Sequence, residues 1–182
     1  DFLQNIVTND IEKITDKFTL FSSILTPQGK YLYEFFILKF KDKYLLECEK
    51  EAAPELIKLF NFYKLRSKVN LSNVSEKYTS AVISLEKFKE INKLKPSKGQ
   101  TLTYNKNIIY VDPRNENLGA KIILNIEEVK SVIKNLNLKM VEKEKYYTKS
   151  FNLGVAQVNL HKLKDKIFGI ENNLDELGGI DF

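Results

Sequence analysis

The run KYLYEFFILKF, residues 30–40, restricts this chain more than any other stretch. It is almost continuous in aliphatic and aromatic residues, and turn formers stand on both sides, TPQG before it and KDK after it. That is too short for the roughly 20 apolar residues a membrane-spanning helix needs. A short, bounded run rich in aromatic residues reads as a strand buried on both faces. FTLFSSIL upstream and YLLECE downstream read as its neighbours, so residues 18–49 are predicted to form a three-stranded meander. Pro27 and Gly29 suit the first turn.

The rest of the chain mixes both periodicities. EAAPELIKLFNFYKL is helical by the spacing of Leu56, Ile57, Leu59, Phe60 and Tyr63. SKVNLSNV and YTSAVISL read as strands, EKFKEINKL as a helix closed before Pro96, and KPSKGQ as a loop. NIIYVDPR is a strand running into a turn, LGAKIIL another strand, and IEEVKSVIKNLNL and EKYYTKSFNLG are helices. At the start, Phe2–Thr8 is predicted helical with Asp1 as its cap, and a further turn begins near Asp10. At the end, two glycines close a helical stretch and Gly-Ile-Asp-Phe begins as a strand. Both ends are expected to be cuts in a longer chain. Irregular alternation with antiparallel hairpins argues an α+β fold, as one domain or two small subdomains.

Composition excludes several functions. The chain carries one cysteine, Cys48, and one histidine, His161, so neither a disulfide nor a Cys/His-rich metal site can be built from it. A single thiol fits a reducing, cytoplasmic compartment. No basic-then-apolar leader is visible at the start, and the seven glycines are dispersed rather than gathered into a phosphate loop. Cys48 reads as a packing residue and His161 as a surface residue. The formal charge is +5, yet only Arg66 and Arg114 among the 29 basic residues are arginine. Abundant lysine and asparagine read as coding bias, with lysines scattered among carboxylates as a solvated surface. Either arginine marks a place for a planar, bidentate donor, or is a survivor of that bias. YKLRSKV, DPRNENLG and IENNLDELGG set arginines and acids at element ends, where they serve a polar ligand or act as turn formers and ion pairs.

FLQNIVTNDI, TPQGKYLYEFFIL, LLECE, YKLRSKV, DPRNENLGAKII and LGV…IENNLDELGGIDF, in that order and over essentially the whole chain, closely resemble the YgfZ branch of the GcvT-like folate-binding family. That branch includes mitochondrial iron–sulfur assembly factors. In it, the segment similar to NLDELGGIDF leads into the signature Lys-Gly-Cys-(Tyr/Phe)-x-Gly-Gln-Glu, whose cysteine is the residue most tied to function. The signature is expected after Phe182, and Cys48 is not its equivalent. The resemblance implies an α+β fold of two ferredoxin-like subdomains around a ligand opening, one from about 1–48 plus 125–182 and the other from about 49–124. The family's C-terminal barrel is expected to be absent. So is a strand preceding FLQ, which would leave an open sheet edge and marginal stability.

The ligand implied is tetrahydrofolate or a folate derivative. A carboxylate can receive the N–H and amino group of its pterin, cations suit its glutamate tail, and aromatic walls suit its rings. The candidates are Glu34 or Glu171 as the acid, Arg66 and Arg114 as anion partners, and Tyr33 with Tyr31 and Phe35 as walls. Strand alternation puts Glu34 on the side opposite Tyr33, so both cannot line one pocket. An acid in so apolar a strand needs a partner or a role, which makes Glu34 the foremost candidate. The related glycine-cleavage aminomethyltransferases carry an Asp-Asp pair where this chain has Tyr33-Glu34, which argues for folate binding without transfer chemistry or a catalytic residue of its own. The implied role is assembly or repair of iron–sulfur clusters in client enzymes, with tRNA modification among the dependent processes. Iron–sulfur client or assembly proteins are the expected partners of a monomer. The alternatives are a folate-dependent aminomethyltransferase or demethylase, and an RNA-binding domain with steeply salt-dependent affinity.

Overall fold

The structure, a computed structural model, describes residues 2–157 and 159–181. The chain forms two compact units, Asp1–Asn73 with Val158–Phe182, and Val74–Gln157. It is α+β as expected, with two antiparallel sheets, neither of which closes into a barrel.

The first unit holds the predicted meander, β1 (Leu20–Leu25), β2 (Tyr31–Phe40) and β3 (Lys43–Glu47), followed by α1 (Ala53–Lys64). The turn into β2 closes with the Gly29 N–H on the Thr26 carbonyl at 2.8 Å, and Gly29 adopts φ +84°, a conformation glycine takes without strain. Four successive β2 residues, Phe35 to Leu38, are buried, as a doubly covered strand requires. On one face Tyr33, Phe35 and Ile37 pack with Leu20, Ile24 and, from α1, Leu56 and Phe60. The register opposes Ser23 to Glu34 and Phe21 to Phe36 on the other face. Residues 169–179 cover that face closely. A Cβ on Gly179 would lie 2.9 Å from the Phe21 ring, and one on Gly169 would lie 3.0 Å from Leu25.

The edges of this sheet differ from expectation. β3 accompanies β2 only from Phe36 onward. Nearer the start of β2, Asp165 N–H donates to Tyr31 O at 2.7 Å and Tyr31 N–H to Ile167 O at 2.9 Å. The outer edge of β1 is not open. Thr8 N–H donates to Ser23 O, Ser23 N–H donates to Thr8 Oγ1, both at 3.0 Å, and Asn9 Nδ2 donates to Phe21 O at 2.8 Å. The same two side chains donate onward to Gly179 O and Gly178 O at 2.5 and 2.9 Å. Short polar side chains thus satisfy backbone groups that a further strand would otherwise pair.

This use of Thr8 and Asn9 explains the first correction. Phe2–Thr8 is not a helix but a single turn, with the N–H groups of Ile6 and Val7 on Leu3 O. A helix continued through Thr8 would turn its N–H away from Ser23. The role given to Asp1 lies outside the described residues. Asp10 does begin a turn, accepting from Glu12 N–H at 3.0 Å. Residues 67–74 are a second correction. SKVNLSNV has no sheet partner among the described residues; Val69 N–H turns back onto Ser67 O at 2.9 Å, and the polar positions are largely exposed. Residues 179–181 form no assigned strand either, although Asp181 N–H pairs with Thr8 O at 2.8 Å.

The second unit contains β4 (Tyr78–Ile83), α2 (Leu85–Asn92), β5 (Thr101–Tyr104), β6 (Asn107–Val111), β7 (Ala120–Asn125), α3 (Val129–Asn135) and α4 (Lys143–Asn152). Its sheet runs β4-β7-β6-β5. Ile109, Val111, Ala120, Ile122 and Leu124 form one sheet face, onto which α2 sets Phe88 and α3 sets Val132 and Leu136. The Ser84 hydroxyl caps α2 on Lys87 N–H, and the helix ends at Lys93 in the left-handed conformation, before Pro96. Strand β5 escaped the sequence reading because it is only TLTY. Its hairpin is marked by Asn105 and Lys106, both at positive φ. Gly119 is required where it stands. Its φ is +103° and a Cβ would meet Ile83 O at 2.5 Å.

Candidate functional site

The first unit gathers four of the five sequence-derived site residues, Tyr33, Glu34, Arg66 and Glu171, and places them in different roles. Glu34 is half-buried in β2, and Asn172 Nδ2 donates to its Oε2 at 2.8 Å. Asn172 is itself buried and arrives from 138 residues away. The amide of Asn172 is neutral and adds no charge of its own to the carboxylate it holds.

Tyr33 faces the core on the α1 side, as alternation requires. Lys164 Nζ donates to its hydroxyl and lies 4.6 Å from the ring centroid, a cation–π arrangement. Tyr31 is buried, and a register shift between Ile24 and Leu25 interrupts the alternation beside it. Burial, then the nearby carboxylates of Glu34 and Glu49, push its phenol far above the ordinary tyrosine value. Tyr31 and Phe35 are therefore core residues rather than exposed walls.

Glu171 closes its own turn, accepting from Phe168 N–H at 2.6 Å. Its neighbour Asn172, not Glu171, reaches Glu34. Arg66 is exposed just past α1, following Leu65 at φ +43°. Arg114 belongs to the second unit, where it is almost wholly buried. Its Nε and Nη2 grip the two oxygens of Asp112 at 3.0 and 2.8 Å, and its backbone N–H adds a third bond at 3.0 Å. With its oxygen turned toward the guanidinium, the Gln157 amide accepts from Nη1 and Nη2, each at 2.6 Å. Arginine's planar fork is used here inside the protein.

Sequence reasoning missed Asn172, Lys164 and Glu49. Glu49 receives the backbone N–H groups of Leu160 and His161 at 3.3 and 3.2 Å, and His161 Nδ1 lies 3.3 Å from the same carboxylate. His161 thus docks a returning segment. No local pattern marks these three residues, because each acts on a partner more than a hundred positions away. Among the described residues no cluster of three or more His, Cys, Asp or Glu could hold a metal ion, and no helix is long and apolar enough to cross a membrane.

No family model matches the chain. Its fold is similar to that of the glycine cleavage system aminomethyltransferase T from Bartonella henselae, with a TM-score of 0.59 at 12% identity, over 74% of this chain and 39% of that one. The fold is therefore a GcvT-like α+β fold. In sequence the chain is similar, at low identity, to proteins named as mitochondrial iron–sulfur cluster assembly factors. It is 26% identical over 194 aligned residues to the mitochondrial iron–sulfur cluster assembly factor IBA57 homolog of Mycosarcoma maydis, covering 99% of this chain and 45% of the relative. The Neurospora crassa homolog is 23% identical over 188 residues, covering 100% and 42%. An uncharacterized protein of Aquifex aeolicus is 33% identical over 94 residues, covering 52% of this chain and 62% of that protein. The chain spans less than half the length of the IBA57 homologs it matches.

Proposed function

We propose that this chain binds tetrahydrofolate or a related folate and assists assembly or repair of iron–sulfur clusters in client enzymes. The observation that carries the reading is the end-to-end similarity to several proteins named as iron–sulfur cluster assembly factors, joined to an aminomethyltransferase-like fold. The residues suit such a ligand. Glu34 would accept the pterin N–H and amino group, Asn172 would hold the carboxylate in place, and exposed Arg66 would meet the anionic tail. Bound folate would supply a one-carbon carrier. The protein's own part is to orient the ring through Glu34 and to exclude water with the apolar strand around it. The partners are iron–sulfur client or assembly proteins, and the compartment is a reducing one.

Two measurements separate the parts of this reading. Titration with tetrahydrofolate under anaerobic conditions should give saturable binding that Glu34→Gln weakens at least about tenfold, the loss expected for a charge-assisted pair. Wild-type protein that binds no folate would overturn the ligand assignment. Restoration of a [4Fe–4S] client's activity in cells lacking their own factor tests the assembly role independently.

A further inference from the structure

The +5 charge of the chain is not shared between its units. Residues 74–157 hold fifteen lysines and arginines against nine acids, a formal +6, whereas the remainder holds fourteen against fifteen, a formal −1. Coding bias toward lysine acts on both units alike, so it does not account for the difference. Within the second unit the excess is concentrated further. Residues 85–98 and 129–152, which contain α2, α3 and α4, carry eleven lysines and four acids.

Two of those helices, α2 and α3, lie on one sheet face. Phe88 of α2 and Val132 of α3 enter the same core on the same sheet face. On α4, Lys149 is near enough to α2 to act on Glu86, whose carboxyl is held below its usual range first by its own N–H and the Ser84 hydroxyl and then by Lys89 and Lys149. The outward sides expose Lys89 and Lys93 on or just past α2, Lys130 and Lys134 on α3, and Lys145 and Lys149 on α4. Between α3 and α4 lie Met140, the chain's single methionine, and Val141, exposed at 85% and 70%.

We propose that the exposed lysine-rich surface of these helices is a docking surface for an acidic protein. Lysines supply attraction and orientation, and the exposed Met140–Val141 pair supplies the apolar contact that protein interfaces favour. A nucleic acid fits less well. The only arginine of this unit is Arg114, buried against Asp112, which leaves no planar guanidinium for phosphate forks or base edges. The inference is independent of the folate reading.

The test uses the full chain and a fluorescein-labelled peptide of alternating Glu and Asp with interspersed Leu, followed by anisotropy at low and physiological salt. A single-stranded RNA of equal charge is the control. Lys89→Glu, Lys145→Glu and Lys149→Glu together should weaken the peptide about tenfold or more. The same reversal at Lys41, Lys43 and Lys50 of the first unit should weaken it less than about threefold. Met140→Ser with Val141→Ser should weaken the peptide and leave the RNA unchanged. A Lys→Gln version of the helical triple, with circular dichroism, separates lost charge from lost fold. Equal losses from both triples, no peptide binding, or tighter binding of RNA than of peptide would each overturn the proposal.

Discussion

Each unit sets an acid in or next to a strand, and they hold it differently. In the second unit Asp112 is gripped by both arms of Arg114 and sealed from solvent. In the first, Glu34 is held on one oxygen by the neutral amide of Asn172 and remains half-buried. An opposite charge cancels an acid's field and removes it from further use. A neutral donor only steadies it. The two acids therefore differ in what removal of the partner should cost.

The sharpest way to break this comparison is Arg114→Met, which leaves Asp112 buried without its cation. We expect a loss of about 3–5 kcal/mol in urea denaturation, with much of it recovered when Asp112→Leu is added. A single-variant loss below about 1 kcal/mol would remove the contrast. Thr8→Val comes next, because it strips the β1 edge of the group that serves Ser23 N–H and Gly179 O. About 1–3 kcal/mol should be lost, and amide exchange at Ser23 should quicken. Alkaline pH tests the surroundings of Glu34. The native Tyr31 phenol stays protonated where an unfolded one, with its ordinary value of 10.0, has ionised. Its contribution is fully present below that pH and falls by about 1.4 kcal/mol per pH unit above it. Tyr31→Phe should flatten that slope, and an unchanged slope would place the phenol in solvent. Smallest is Asn172→Ala, which should cost about 1 kcal/mol of stability. Its effect on folate affinity should exceed that of Glu171→Ala, and equal effects would undo the distinction drawn between these neighbours.

The sequence made the sheets legible where local pattern and burial agree. YLYEFFILKF announced a doubly buried strand, and TPQG and KDK announced its turns, because glycine, proline and charged residues act through their own backbone geometry. Alternation placed Tyr33 and Glu34 on opposite faces correctly. Elements fixed by distant partners were illegible. Phe2–Thr8 has a helical stripe, but its end is conscripted by the backbone of β1. SKVNLSNV has strand-like residues with no strand to meet. Strand β5 is too short to carry a period. At the site, the acid in β2 could be singled out because an ionisable group in an apolar run needs a reason. Its partner Asn172 could not, since nothing in IENNLDELGG prefers Asn172 over Asn173 or the neighbouring Glu171. Arg114 was flagged as a planar donor, and its own neighbour Asp112 turns out to be what it grips.

The first unit is made from both ends of the chain, with all of the second unit's sequence between them. During synthesis from the N-terminus, β1 and β2 leave the ribosome with the Thr8 hydroxyl, the face around Phe21 and the Glu34 carboxylate all lacking their eventual cover. The second unit is finished while they wait. Only when Asn172 and Gly179 emerge can Glu34 gain its amide and Thr8 its carbonyl. Completion of the acid's environment therefore follows synthesis of the second unit, and until then the face around Phe21 and Glu34 stays uncovered.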